Sequence, residues 1–133
     1  IGDYVLSFEA LKTQFDNFKD RAVEIDPAVA RTMRFNNYVE CLPGAHKVPA
    51  RLLSLAVNRL VLELPLSTQG LGVGQPLASK LYFQTYQFPV SGKIVDGTVT
   101  DKQRRRVTCS LEFSPELVEI MDDYFFRMSF KKG

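Results

Sequence analysis

The chain has 133 residues, enough for one domain with a core that needs no disulfide or metal staple. Its hydrophobic share of 45% and charged share of 24% are those of an ordinary globular domain. The net charge of +2 is too small to argue for a nucleic-acid or membrane partner by itself. Two cysteines, Cys41 and Cys109, and one histidine, His46, lack the spacing of a metal site.

Ser7 is a helix cap, and residues 8–25 follow with helical period. Phe8, Leu11, Phe15, Phe18, Ala22, Ile25 and Val29 form one apolar stripe, with Glu9, Lys12, Asp16, Lys19 and Asp20 opposite. The stripe is expected to pack on the rest of the chain or a neighbouring domain, with self-association through this helix as the sharper alternative. Asp26-Pro27 reads as a cap and first-turn proline opening a second short helix.

From Phe35 the pattern turns β. Residues 35–41 predict a strand, and Pro43-Gly44 a turn. In residues 50–65, ARLLSLAVNRLVLELP, Leu60, Leu62 and Leu64 alternate with Val61 and Glu63, which puts the leucines on one sheet face. Asn58-Arg59 marks the turn from the earlier run at 51–55. Residues 67–76, STQGLGVGQP, predict a flexible loop. Its glycines lead into a strand rather than a helix, so a phosphate-binding reading is poorly placed. Residues 80–88, KLYFQTYQF, predict one aromatic strand, with Tyr82, Tyr86 and Phe88 on a shared face able to stack bases or dock a protein. Phe88-Pro89 is read as a break, 90–95 as the next strand and 96–103 as a polar connection. Residues 106–113 alternate, with Val107, Cys109, Leu111 and Phe113 inward. Ser114-Pro115-Glu116 opens a last helix whose stripe of Leu117, Met121, Tyr124 and Met128 is expected to close a barrel mouth. These elements predict a mainly β fold, a small antiparallel barrel flanked by helices, divided into an N-terminal helical segment (1–34) and a barrel with its C-terminal helix (35–133).

The order and spacing of these pieces resemble PilZ domains, the small β-barrels that receive the bacterial messenger cyclic di-GMP. The resemblance covers residues 31–126. It rests on the 50–65 hairpin, on Leu71-Gly72-Val73-Gly74-Gln75 leading into a long strand, and on the corner VTCSLEFSPEL at 107–117. The family's ligand motif is an Arg-x-x-x-Arg pair before the first strand and a turn of pattern Asp/Asn-x-Ser-x-x-Gly. On this sequence the pair aligns with Ala30 and Arg34, with Arg31 one step away, and the turn with Ser54, Ala56 and Arg59. Ala56 cannot hydrogen-bond through its side chain, and Arg59 adds bulk where the family has glycine. The resemblance therefore implies a degenerate member. It is expected to be a cytoplasmic, regulatory, non-enzymatic binding module of cyclic di-GMP signalling that acts on another protein or a neighbouring domain, without tight messenger binding and without a cofactor.

Two alternatives stand beside this reading. One is a true cyclic di-GMP receptor using Arg31, Arg34 and Arg59 in a shifted arrangement. The other is a nucleic-acid-binding barrel using the basic run at 102–106, KQRRR, and the aromatic face. No nucleophile motif supports an enzyme. No apolar run approaches the length of a membrane span. The chain opens on Ile1 rather than Met, so a piece of a longer regulatory protein is expected.

Overall fold

The computed structural model describes residues 7–33, 38–42, 47–83, 86–100 and 103–132. In chain order the elements are α1 (Phe8–Phe18), β1 (Val23–Glu24), α2 (Pro27–Met33), β2 (Tyr38–Leu42), β3 (Val48–Ala56), β4 (Arg59–Pro65), β5 (Pro76–Phe83), β6 (Tyr86–Val99), β7 (Arg104–Leu111) and α3 (Pro115–Lys132).

All pairings are antiparallel, in the order β1-β3-β2-β5-β6-β7-β4, and an additional β3–β4 pairing closes the ring, with β1 attached outside it on β3. The six strands β2–β7 therefore close into a barrel, which removes free edges from most of the sheet. β3 shares one edge with β4 along 51–56; its other edge serves β2 along 48–51 and then β1 at 54–55. Bulges at Leu52/Ser54 and Ile94/Asp96 bend β3 and β6, as closure of a small barrel requires.

The alternation expected on β4 and β7 is realised. Leu60, Leu62, Leu64, Val107 and Cys109 are buried in one core cluster with Leu52, Leu55, Leu81 and Ile94. α3 adds Leu117, Val118, Met121 and Tyr124 to that cluster. Its start is the expected one: Leu117 N–H donates to Ser114 Oγ at 3.4 Å, and Val118 N–H to the Ser114 carbonyl at 3.1 Å. α2 is likewise capped by Asp26, whose Oδ1 accepts from Val29 N–H at 2.8 Å.

Several boundaries differ from those expected. The first helix stops at Phe18 rather than Ile25; Asp20 turns left-handed at φ 64°, and Val23–Glu24 joins the sheet instead. The tertiary gain is pairing with the β3 edge, which outweighs helical period in Ala22 and Ile25. The single aromatic strand at 80–88 is two strands, β5 and β6, paired up to Phe83↔Tyr86. Pro89 does not break β6. It lies opposite Lys80, and β6 runs on to Val99, so part of the expected 96–103 connection is strand. The expected aromatic face does not form. Phe88 lies opposite Leu81 and is 5% exposed inside the barrel, while Tyr82 lies on the opposite face of β5 from Leu81. Arg104–Arg106 stand on β7 rather than in a loop.

α1 packs along α3. Phe15 meets Phe113 edge-on with ring centroids 5.4 Å apart, and Phe18 meets Phe125 at 4.9 Å. Arg21 lies over the Phe125 ring at 3.9 Å, and Gln14 Nε2 donates to Asp122 Oδ1 at 2.7 Å. The N-terminal stripe thus finds its partner within the chain, through aromatic pairs and a cation over a ring.

Candidate functional site

Of the five residues singled out for messenger recognition, three stand at or beside one hairpin turn. Ser54 and Ala56 end β3, Arg59 opens β4, and Val57-Asn58 is the turn between them. Arg31 is exposed on the last turn of α2. Arg34 lies outside the described residues, as does His46.

The turn is occupied by the chain's own N-terminal segment. Asp20 is its centre. Its backbone N–H donates to Asn58 Oδ1 at 3.0 Å, and its carboxylate accepts from Asn58 Nδ2 at 3.3 Å and from Arg59 Nη2 at 2.8 Å. A left-handed φ is uncommon outside glycine, and Asp is one of the residues that tolerates it. Three residues on, β1 sets Glu24 opposite Ser54 and Val23 opposite Leu55, and Ile25 N–H donates to the Leu53 carbonyl at 2.8 Å. Ala56 is 1% exposed.

The electrostatics follow from that geometry. The Arg59 guanidinium, the one cation on the turn, already faces a carboxylate. Glu24 places a second acid in register with Ser54. A dianionic ligand approaching this turn would meet acids where a receptor presents donors. Asp20 and Glu24 were not marked by the sequence as part of this region: both fall inside the helix expected over 8–25, and Asp20 was read as part of its polar face.

Other chemistry finds little to build on. The Cys41 thiol is pushed up to about 11 by burial, partly offset by its contact with Ser79 Oγ at 3.5 Å. Burial, with the neighbouring Cys41, pushes Cys109 up to about 12. Both thiols are buried and protonated, the opposite of an activated nucleophile. Among the described residues no group of His, Cys, Asp or Glu is placed to hold a metal ion, and no helix is long and apolar enough to cross a membrane.

No protein-family model matches the sequence, and no curated protein matches it. Solved structures do match. The PlzA protein of Borreliella burgdorferi, in complex with cyclic di-GMP, superposes with a TM-score of 0.67 at 12% identity, over 94% of this chain and 57% of PlzA. MrkH of K. pneumonia, also complexed with cyclic di-GMP, gives 0.62 at 10% identity, over 86% of this chain and 55% of MrkH. The PilZ domain of YcgR from Escherichia coli, with cyclic di-GMP, gives 0.55 at 12% identity, over 84% of this chain and 90% of that domain. The chain thus spans little more than half of PlzA and of MrkH, and nearly the whole of the isolated YcgR domain. With a closed six-strand barrel, the hairpin at 48–65 and a helix leaving the last strand, the chain has the fold of a PilZ domain.

Proposed function

We propose that this chain is a regulatory, non-enzymatic binding module of bacterial cyclic di-GMP signalling, cytoplasmic, with a degenerate messenger motif. It acts by contact with a protein or a neighbouring domain. The fold supports the signalling class, since PlzA, MrkH and the YcgR domain are each described with cyclic di-GMP. One observation carries the degenerate reading: the Asp20 carboxylate sits on Arg59 at 2.8 Å, at the turn where the motif would hold its ligand. The buried Ala56 methyl and the Glu24–Ser54 pairing point the same way.

Calorimetric titration with cyclic di-GMP tests this reading. A flat titration is the expected result. Heat that saturates at low-micromolar messenger and disappears in Arg34→Ala or Arg59→Ala would replace it with the receptor reading.

A further inference from the structure

Away from the rim turn, the outer faces of β3, β4 and β7 carry a charge constellation built by strand register. Arg51 lies opposite Glu63, and Glu63 lies opposite Arg106. Arg104 Nε stands 3.7 Å from Glu63 Oε1. The Glu63 side chain is only 15% exposed; this nearly covered carboxylate pairs with Arg104 and lies in strand register between Arg51 and Arg106. Arg51 and Arg106 are both exposed, and among the described residues neither forms an ion pair.

A cross-strand salt bridge needs one arginine; the second and third are surplus to it, and like charges crowded on one face repel. Strands lie about 4.8 Å apart, so Arg51 and Arg106 flank β4 at roughly 10 Å, with Glu63 holding the row between them. Such planar, always-charged forks bind phosphate oxygens in pairs. Besides Arg59 at the rim, the rest of these outer faces is Ser54, Val61, Thr108 and Ser110, and none of the described side chains on them is an aromatic on which a base would stack. Recognition here is therefore of the backbone, not of the base. An anionic lipid surface fits less well. Of the exposed apolar residues at this end, Val99 lies in register with Arg105 and so on the opposite sheet face from Arg104 and Arg106, and Leu66 follows the end of β4 at Pro65, beyond the strand face that carries the arginines.

We propose that Arg51, Arg104 and Arg106, arranged around Glu63, form a sequence-independent site for the phosphodiester backbone of a single-stranded nucleic acid. The site is separate from the rim turn and does not depend on whether the turn binds a messenger. Fluorescence anisotropy of a labelled oligothymidylate at low ionic strength tests it with the full chain. The wild type binds, with affinity falling steeply as salt rises. Arg51→Gln and Arg106→Gln each weaken binding roughly fivefold and lower the salt slope by about one. Glu63→Gln strengthens it, a sign that a purely structural ion pair would not give. Lys80→Gln, on the opposite wall, leaves it unchanged. Far-UV circular dichroism checks the fold of each variant, and if Glu63→Gln does not fold the two arginine variants decide alone. No binding at low salt, affinity unmoved by both arginine variants, or tighter binding to phosphatidylglycerol vesicles than to the oligonucleotide would each overturn the proposal.

Discussion

At Gly92 the barrel has no room for a side chain. A Cβ there would stand 1.8 Å from the Ser110 carbonyl oxygen and 2.9 Å from its carbon, both rigid backbone on the neighbouring strand. Gly92→Ala must therefore push β6 and β7 apart at the row that leads into α3. The expected cost is about 3 kcal/mol or more in urea unfolding, at the upper end for a one-carbon insertion. Gly97→Ala is the matched control on the same strand pair. Its Cβ meets nothing closer than the Arg106 carbonyl oxygen at 3.9 Å, so the same substitution should be neutral or stabilise by up to about 1 kcal/mol. The two cysteines give a second residue-scale expectation. Their native values, about 11 and about 12, lie above the ordinary thiol value of 9.0, because burial disfavours the thiolate. Above pH 9 the unfolded chain loses these protons while the folded chain keeps them, so stability is fully present below that pH and is lost as it rises toward 11. With both thiols contributing, the slope reaches about 2.7 kcal/mol per pH unit at most. Urea midpoints measured between pH 8 and 10.5 check this, and Cys109→Ala should flatten the decline by about half. A decline that is equally steep in Cys109→Ala would mean that other groups set it.

At the scale of elements, α3 is bound to the barrel by its buried face and α1 is bound to α3 by rings. Leu117 and Met121 are fully buried, so Met121→Ala should cost 2–5 kcal/mol, whereas Glu119→Ala on the exposed side should stay within about 0.5 kcal/mol. Chemical denaturation of the two variants separates a packing helix from a surface one. What could be read in advance at this scale depended on local physics. The Leu60, Leu62 and Leu64 alternation and the Ser114-Pro115-Glu116 start are local signals, and both elements lie where their patterns put them. The β5–β6 hairpin was not legible. Phe83-Gln84-Thr85-Tyr86 contains no Gly, Pro, Asn or Asp, so nothing in it marks a turn between two aromatic runs. The end of α1 was also hidden, because a strand of only two residues at Val23–Glu24 has no period, and its pairing partner is thirty positions away. The rim turn itself was legible from Asn58-Arg59, and the structure has it at Val57-Asn58. Its occupant, Asp20, was not, since that contact spans 39 positions and exists only after the barrel closes.

For the whole molecule, closure makes stability unequal around the ring. β4, like β7, is enclosed by neighbours along most of both edges. It pairs with β7 from Arg59 to Pro65 and with β3 from Arg59 to Glu63, while Leu60, Leu62 and Leu64 fill the core. β6 is the opposite case. Its first half pairs with β5 and its second half with β7, so from Asp96 to Val99 only β7 supports it among the described residues. The loop from Leu66 to Gln75 buries little besides Leu71. Opening such segments costs less than opening the barrel, because fewer apolar contacts and ladder bonds are lost. Native-state deuterium exchange should therefore be slowest at amides 60–64 and 107–109, exchanging only through global unfolding. It should be faster by orders of magnitude at 66–75 and intermediate at 96–99. α1 should exchange faster than α3, since it buries only Leu11 and Phe18 and is otherwise tied by ring contacts and one side-chain hydrogen bond, whereas α3 buries five of its described residues. If Asp20 clasps the rim turn as its three hydrogen bonds indicate, Asp20→Ala should raise exchange at amides 57–59 and across α1 together, while leaving 60–64 and 107–109 unchanged. Exchange that rose at the turn alone would mean that the N-terminal segment is held by α3 and not by the hairpin.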